Sequence, residues 1–154
     1  MSGSEKKMAL AADHRGYEMK EEIKTFLKSR GFAVEDCGTH STESTDYVDP
    51  VIQAAEKVKS GDCGRAVGVC YTGIGSSIAA NKVFGVRAAL VKSVEEARLT
   101  RAHNDSNMLI LGAGFLDPKI AIPIVEMWMK TPFEGGRHEQ RVNKIKDYER
   151  KHCG

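Results

Sequence analysis

Hydrophobic positions along this chain alternate between two patterns. Short, mainly apolar runs occur at Met8–Ala12, Phe32–Glu35, Ala66–Val69, Ala88–Val91 and Met108–Leu111. Between them, apolar residues recur at spacings of three and four. Met19, Ile23, Phe26 and Leu27 form one such stripe before Gly31, Val51–Val58 carries a second up to Ser60-Gly61, and Ile120, Ile124, Val125 and Trp128 form a third. The first pattern predicts buried strands and the second predicts amphipathic helices. Boundary residues agree with this. Ser93-Val94-Glu95-Glu96 is a capping box, opening a helix that runs to about Ala102. Asp117-Pro118 suits the cap and first turn of another helix, inside which Pro123 predicts a kink or a delayed start. "SSIAANK" opens a helix that Gly85 ends, the tail from about His138 to Lys151 reads as a charged helix, and Thr39–Asp49 is polar and loop-like.

Apolar strands alternating with helices imply a parallel sheet covered on both faces. The expected fold is a single-domain α/β three-layer sandwich with a five-stranded parallel sheet, Rossmann-like or flavodoxin-like. Residues 1–7 read as a disordered polar leader, and residues 8–154 as the domain. In such sheets ligands bind beyond the carboxyl ends of the strands, where strand order reverses. With the order 2-1-3-4-5, strands one and three are neighbours. Asp13 and His14 after strand one, and Cys70 at the end of strand three, then share a crevice.

Composition narrows the functions. A net charge of +2 without a polybasic run excludes a phosphate-backbone tracker, so no nucleic acid is expected. No apolar stretch approaches the ~20 residues of a membrane span, so no membrane partner is expected either. Cys37, Cys63, Cys70 and Cys153 form no CxxC pair and match no zinc spacing. They read as free thiols in a cytoplasmic protein, with no metal.

Three constellations could carry chemistry. The Gly-rich turn Tyr71–Ser76 joins a strand to a helix N-terminus, where successive amides favour an anion; the plain alternative is a tight connection without a ligand. Cys70 stands at its mouth, where a thiol gains thiolate character, although cysteine is also a common buried strand residue. His103-Asn104-Asp105 offers a general acid/base with a neighbouring carboxylate, or a helix C-cap, and His14 beside Asp13 poses the same choice. Arg137 and Arg141, four apart, lie on one helix face and suit a phosphate, or simply a solvated surface. Together these parts suit proton abstraction beside a carbonyl in a small phosphorylated substrate.

The stretches "ADHRGYEMK", "DCGTHSTESTDYVDP", "CYTGIGSSIAANK", "GVRAAL", "ARLTRAHNDSNMLILG" and "FEGGRHEQRV" together resemble the type B ribose-5-phosphate isomerases, in the group that includes allose- and galactose-6-phosphate isomerases. The resemblance implies an aldose–ketose isomerase without a metal or organic cofactor. It implies Cys70 as the base moving the proton between C1 and C2, with Thr72 shuttling protons between the two oxygens. The amides of Tyr71, Gly73, Ile74, Gly75 and Ser76 hold the enediolate. His103, with Asp13 nearby, opens the furanose ring, and Asn104 binds substrate. His14, Arg137 and Arg141 bind phosphate, and Tyr47 lines the pocket. In this family the site forms between two subunits, which implies a homodimer or a higher homo-oligomer.

Two departures stand out. Tyr71 occupies a position where the family usually has glycine, so it would be strained if its φ were positive, and its ring narrows the pocket. The stretch Gly112-Ala113-Gly114-Phe115 lacks an arginine that often follows the fifth strand. These keep two other readings open: an isomerase of a six-carbon sugar phosphate, and a non-catalytic sugar-phosphate sensor.

Overall fold

The computed structural model describes residues 2–153. Five strands, β1 (Lys7–Ala12), β2 (Ala33–Asp36), β3 (Arg65–Cys70), β4 (Ala88–Leu90) and β5 (Met108–Gly112), form one sheet. Every pairing is parallel. Six helices connect or follow them: α1 (Tyr17–Ser29), α2 (Val48–Lys59), α3 (Ile74–Ala80), α4 (Val94–Asn104), α5 (Pro118–Lys130) and α6 (Arg137–His152). This is the expected three-layer α/β sandwich. Ser93 caps α4 by accepting from the Glu96 amide, and Asp117 caps α5 by accepting from that of Lys119. α5 begins at Pro118 and runs through Pro123, so that proline does not delay the helix. α3 begins two residues earlier than expected and ends at Ala80, leaving turns up to Gly85. Within the segment read as a leader, the Ser4 carbonyl accepts from the Gly64 amide, and Lys7 already belongs to β1.

Strand order corrects one expectation. The sheet runs β2-β1-β3-β5-β4 rather than 2-1-3-4-5. The reason is burial: β5 is covered along all five residues, which only a central strand is, whereas β4 has three residues, all half-buried. The expected neighbours β1 and β3 do lie side by side, but β5 flanks β3, and Cys70 pairs with Gly112.

Alternate residues of the central strands feed two cores. Leu10, Val67, Leu109 and Leu111 meet Ile23 and Leu27 of α1 and Ile124 and Trp128 of α5. Ala9, Ala11, Ala66 and Ile110 meet Val51, Ala54 and Ala55 of α2 and Ala80 of α3. A fully buried Leu or Ile contributes roughly 1.5–3 kcal/mol, so these faces dominate stability. The buried Trp128 indole N–H donates to the Ser106 hydroxyl at 2.9 Å, so it is not left unpaired.

A buried ion pair fastens α1 to β2. Lys20 is fully buried, and its ammonium lies 2.7 Å from both Asp36 oxygens. Lys24 at 2.6 Å and the Gly38 amide at 2.9 Å complete the carboxylate's bonds. Burial pushes the Asp36 carboxyl up, but the two lysines and the amide outweigh it and hold it at about 2. Asp36→Asn leaves the buried Lys20 ammonium only the longer contact to Glu21, at 3.7 Å, among the described residues, so it should cost about 3–5 kcal/mol. Lys20→Met leaves Asp36 with Lys24 and should cost less. Because the folded carboxyl sits below its ordinary 3.8, the pair's stabilisation is present above that value and fades as pH falls toward 2. Denaturant unfolding of the three proteins from pH 7 to pH 2 checks the ranking; equal losses in both variants would refute it.

Candidate active site

A parallel sheet puts every strand's carboxyl end on one side, and there the first set of residues gathers. β1 runs directly into Asp13, whose amide donates to the Val69 carbonyl of β3 at 3.3 Å. The Asp13 side chain is buried and accepts from the amides of Arg15 (2.9 Å) and Gly16 (3.0 Å), fixing the turn into α1. His14 Nδ1 lies 3.1 Å from the Thr45 amide and 3.0 Å from the Thr45 carbonyl. A ring with its proton on Nδ1 donates to the carbonyl, and one with its proton on Nε2 accepts from the amide.

Cys70 closes β3 with only 4% of its surface exposed. Its sulfur does not point into the hydrocarbon core: the Gly73 amide donates to Sγ at 3.2 Å. Gly73, with φ of 78°, turns the chain into α3 in the left-handed region where glycine is unstrained. The Thr72 hydroxyl accepts from the Ile74 amide at 3.1 Å. Ser76 is completely buried, and its hydroxyl has no partner among the described residues. The Tyr47 ring packs against Gly75, where a Cβ would overlap it. Asp13, His14, Tyr47 and the Cys70–Ser76 turn therefore stand together, as expected. Tyr71 is not strained, since Asp105 is the only non-glycine with positive φ among the described residues.

The second set lies elsewhere. α4 returns the chain from the carboxyl end of β4 to the start of β5, so His103 and Asn104 lie at the amino ends of the strands. There the Asn104 carbonyl accepts from Arg87, just ahead of β4. The Glu134 amide donates to the Ala102 carbonyl at 3.0 Å and brings the start of α6 to the same place. His103 stacks on His138, with centroids 4.1 Å apart and planes 9° from parallel. Arg137 and Arg141 flank His138, and both are exposed. Burial, then the charges of His103, Arg137 and Arg141, hold the His138 imidazole below its ordinary value against the opposing pull of Glu134.

Three expectations about His103 change here. Within one chain it is not near Asp13 or Cys70, because eleven residues of α4, roughly 16 Å of helix, carry it to the opposite end of the sheet. Asp105 is not its carboxylate: that side chain pairs with Arg101 at 2.9 Å and Arg87 at 3.3 Å. The nearby carboxylate is Glu134, 3.6 Å from His138 Nε2. Nor is His103 the C-cap of α4, a place taken by Asp105. Glu134 and His138 were missed as site residues although both lie in the stretch around Arg137. Their donor atoms and that of His103 fall within 4.8 Å of one another, a set able to hold a metal ion. In the stack, however, the two rings' lone pairs lie in near-parallel planes, so both cannot address one ion without turning.

Comparison with known proteins places this arrangement. The ribose/galactose isomerase family profile matches residues 8–145. Ribose-5-phosphate isomerase B of Escherichia coli is 43% identical over 140 residues, covering 91% of this chain and 94% of that protein. The structure of ribose-5-phosphate isomerase B of Clostridium thermocellum superposes with a TM-score of 0.92 at 49% identity, over 95% of this chain and 99% of that one. That of Mycoplasma genitalium, which holds ribulose 5-phosphate, gives 0.89 at 40% identity, over 94% and 96%. The sheet, the turn after β3 and the stretch opening α6 all fall within the matched residues, and the chain belongs to the ribose/galactose isomerase family.

Proposed function

We propose that this chain is a type B ribose-5-phosphate isomerase, interconverting ribose 5-phosphate and ribulose 5-phosphate in the cytoplasm. Four free cysteines suit that reducing compartment, and among the described residues no helix is long and apolar enough to cross a membrane. The observation that carries the reading is the Cys70 sulfur. It sits at the carboxyl end of a central strand, receives the Gly73 N–H, and opens the turn that ends at Ser76, whose buried hydroxyl has no partner among the described residues. The family relationship supplies the substrate class.

In the proposed reaction the Cys70 thiolate takes the proton from C2 of the open-chain aldose. The C2–H electrons form the C1–C2 double bond, and the C1 carbonyl electrons move to oxygen. Amides of the turn from Tyr71 to Ser76 face that negative oxygen. The Thr72 hydroxyl carries the O2 proton to O1. Cys70 then returns its proton to C1, leaving a ketone at C2 and a regenerated thiolate. No redox partner is required.

His103 opens the ring, and it acts from a second copy of the chain. In this reading the Cys70 end of one protomer, including Asp13, His14 and Tyr47, meets the partner's His103 end, including Asn104, Arg137 and Arg141. The separation of the two sets within one chain supports this, since neither set holds both a base for carbon and an acid for the ring oxygen.

Cys70→Ala should lower kcat on ribose 5-phosphate by about 10²–10⁴. His103→Ala should impair ribose 5-phosphate more than ribulose 5-phosphate, because the ketose cannot close a furanose on a phosphorylated O5. Coupled assays in both directions read both effects. Retained turnover in Cys70→Ala would sink the base assignment.

Mixing the two variants tests the shared site. A Cys70→Ala/His103→Ala heterodimer has one complete site and one lacking both groups. With random reassortment of a two-fold dimer, the mixture should regain about a quarter of wild-type activity. A mixture no more active than its parents would refute sharing.

A further inference from the structure

We propose that Arg15, resting on the ring of Tyr71, is a phosphate-binding residue of the Cys70 crevice, and that Tyr71 is the positioning residue that holds it there. This deepens the isomerase reading and rests on it for the identity of the phosphate ester.

Placement comes first. Arg15 follows Asp13 and His14 where β1 ends, and Tyr71 follows Cys70 where the adjacent β3 ends. The Arg15 guanidinium carbon lies 4.3 Å from the centroid of the Tyr71 ring. Its backbone is anchored, because the Arg15 amide donates to Asp13 at 2.9 Å. The two residues thus bridge the mouth of the turn whose Gly73 amide donates to the sulfur.

Tyr71 has a seat built for it. The Tyr71 carbonyl accepts from the Gly114 amide at 2.8 Å, tying the turn after β3 to the loop after β5. The ring lies over Gly114, where a Cβ would overlap it, and Phe115 meets it edge-on with centroids 5.7 Å apart. Yet Tyr71 keeps 43% of its surface exposed. An aromatic ring fixed on one side and open on the other is a platform, and its free face carries Arg15.

Arg15 is also uncommitted. Arg65, Arg87 and Arg101 spend their guanidinium groups on main-chain carbonyls, and the latter two on Asp105. Arg15 is exposed and forms no ion pair among the described residues, although Glu18 and Glu22 line the same small cavity of about 180 Å³. A guanidinium stacked on an aromatic face keeps its N–H donors pointing outward in its own plane, free for a phosphate fork. His14, its chain neighbour, adds a ring donor. The loop Gly112–Phe115 offers no cation, so the positive charge at this mouth comes from the start of α1, with the aromatic ring occupying the space over Gly114.

The test measures KM and kcat for ribose 5-phosphate, and the Kd of inorganic phosphate by calorimetry. Losing a charge-assisted contact of about 1.5–3 kcal/mol predicts that Arg15→Leu raises both KM and the phosphate Kd by about ten- to a hundredfold, with kcat little changed. Arg15→Lys should recover part of the loss. Tyr71→Phe keeps the platform and should hold the phosphate Kd within about twofold of that of the unaltered protein. Tyr71→Leu and Gly114→Ala, which respectively remove the ring and push it from its seat, should each weaken phosphate binding about two- to fivefold. Neither change should have a further effect in the Arg15→Leu background. Wild-type KM and phosphate affinity in Arg15→Leu would overturn the assignment of Arg15. An undiminished effect of Tyr71→Leu in the Arg15→Leu background would overturn the positioning role. Should the wild-type protein turn over no sugar phosphate, the isomerase reading fails, while the phosphate titration still reports on Arg15.

Discussion

The polarity of the parallel sheet is the constraint from which the rest of this structure follows. Each helix must carry the chain back across the sheet before the next strand can pair in the same direction. Loops that follow strands and loops that precede them therefore collect at opposite ends, and no side-chain choice brings them together within one chain. Cys70, Asp13 and His14 belong to the first group, and His103 and Asn104 to the second. The packing that makes this geometry stable, with buried central strands clamped between two helical layers, is the same packing that keeps the two sets of chemical groups apart. In the shared-site reading proposed above, a complete acid–base set would come from pairing the front of one copy with the back of another, rather than from bending one sheet.

The carboxyl end works by close approach. Small residues allow bulky neighbours to lie against the main chain: Tyr47 on Gly75, Tyr71 on Gly114 and the Thr72 carbonyl on Gly112. Each contact immobilises the turn that presents its amides to Cys70. Hydrogen bonds from the loop after β5 to the carbonyls of Cys70 and Tyr71, both at 2.8 Å, lock it from the other side. Preorganised donors of this kind stabilise developing charge because they need no reorientation when the charge appears. The buried Ser76 hydroxyl belongs to the same economy of space, a polar group with no partner among the described residues.

Most of this fold was legible because its signals are local. Strands buried on both faces are apolar along their length, and Ser93 and Asp117 mark helix starts through bonds made within three residues. Strand order was not local, and the exchange of β4 and β5 shows what was overlooked: a three-residue strand flanked by polar sequence belongs at an edge, while Met108–Gly112 belongs inside. The site divided in the same way. Motifs at strand ends pointed to Cys70, Asp13 and His14, but sequence neighbours misled at His103. There Asp105 turns into the left-handed region and spends its carboxylate on two arginines. The relevant carboxylate, Glu134, is thirty-one positions from His103 and arrives only because a main-chain bond ties it to Ala102. Arg15 lay in plain view between His14 and Gly16, yet its significance depends on Tyr71, and no spacing rule links residues on different strands.

The His103 end poses an electrostatic problem that its own chain does not solve. Arg137 and Arg141 project from one face of α6, and two imidazoles stack beneath them, with the exposed Glu134 beside His138. Two protonated rings cannot sit in contact beside two guanidinium groups without strong repulsion. The structure answers by burying His138, which favours its neutral form and lets the rings stack. The opposite end of the sheet offers main-chain amides and a free Arg15. In the proposed shared site these two ends would face one another, with cationic groups for the substrate's phosphate and main-chain dipoles for the carbons whose proton is moved.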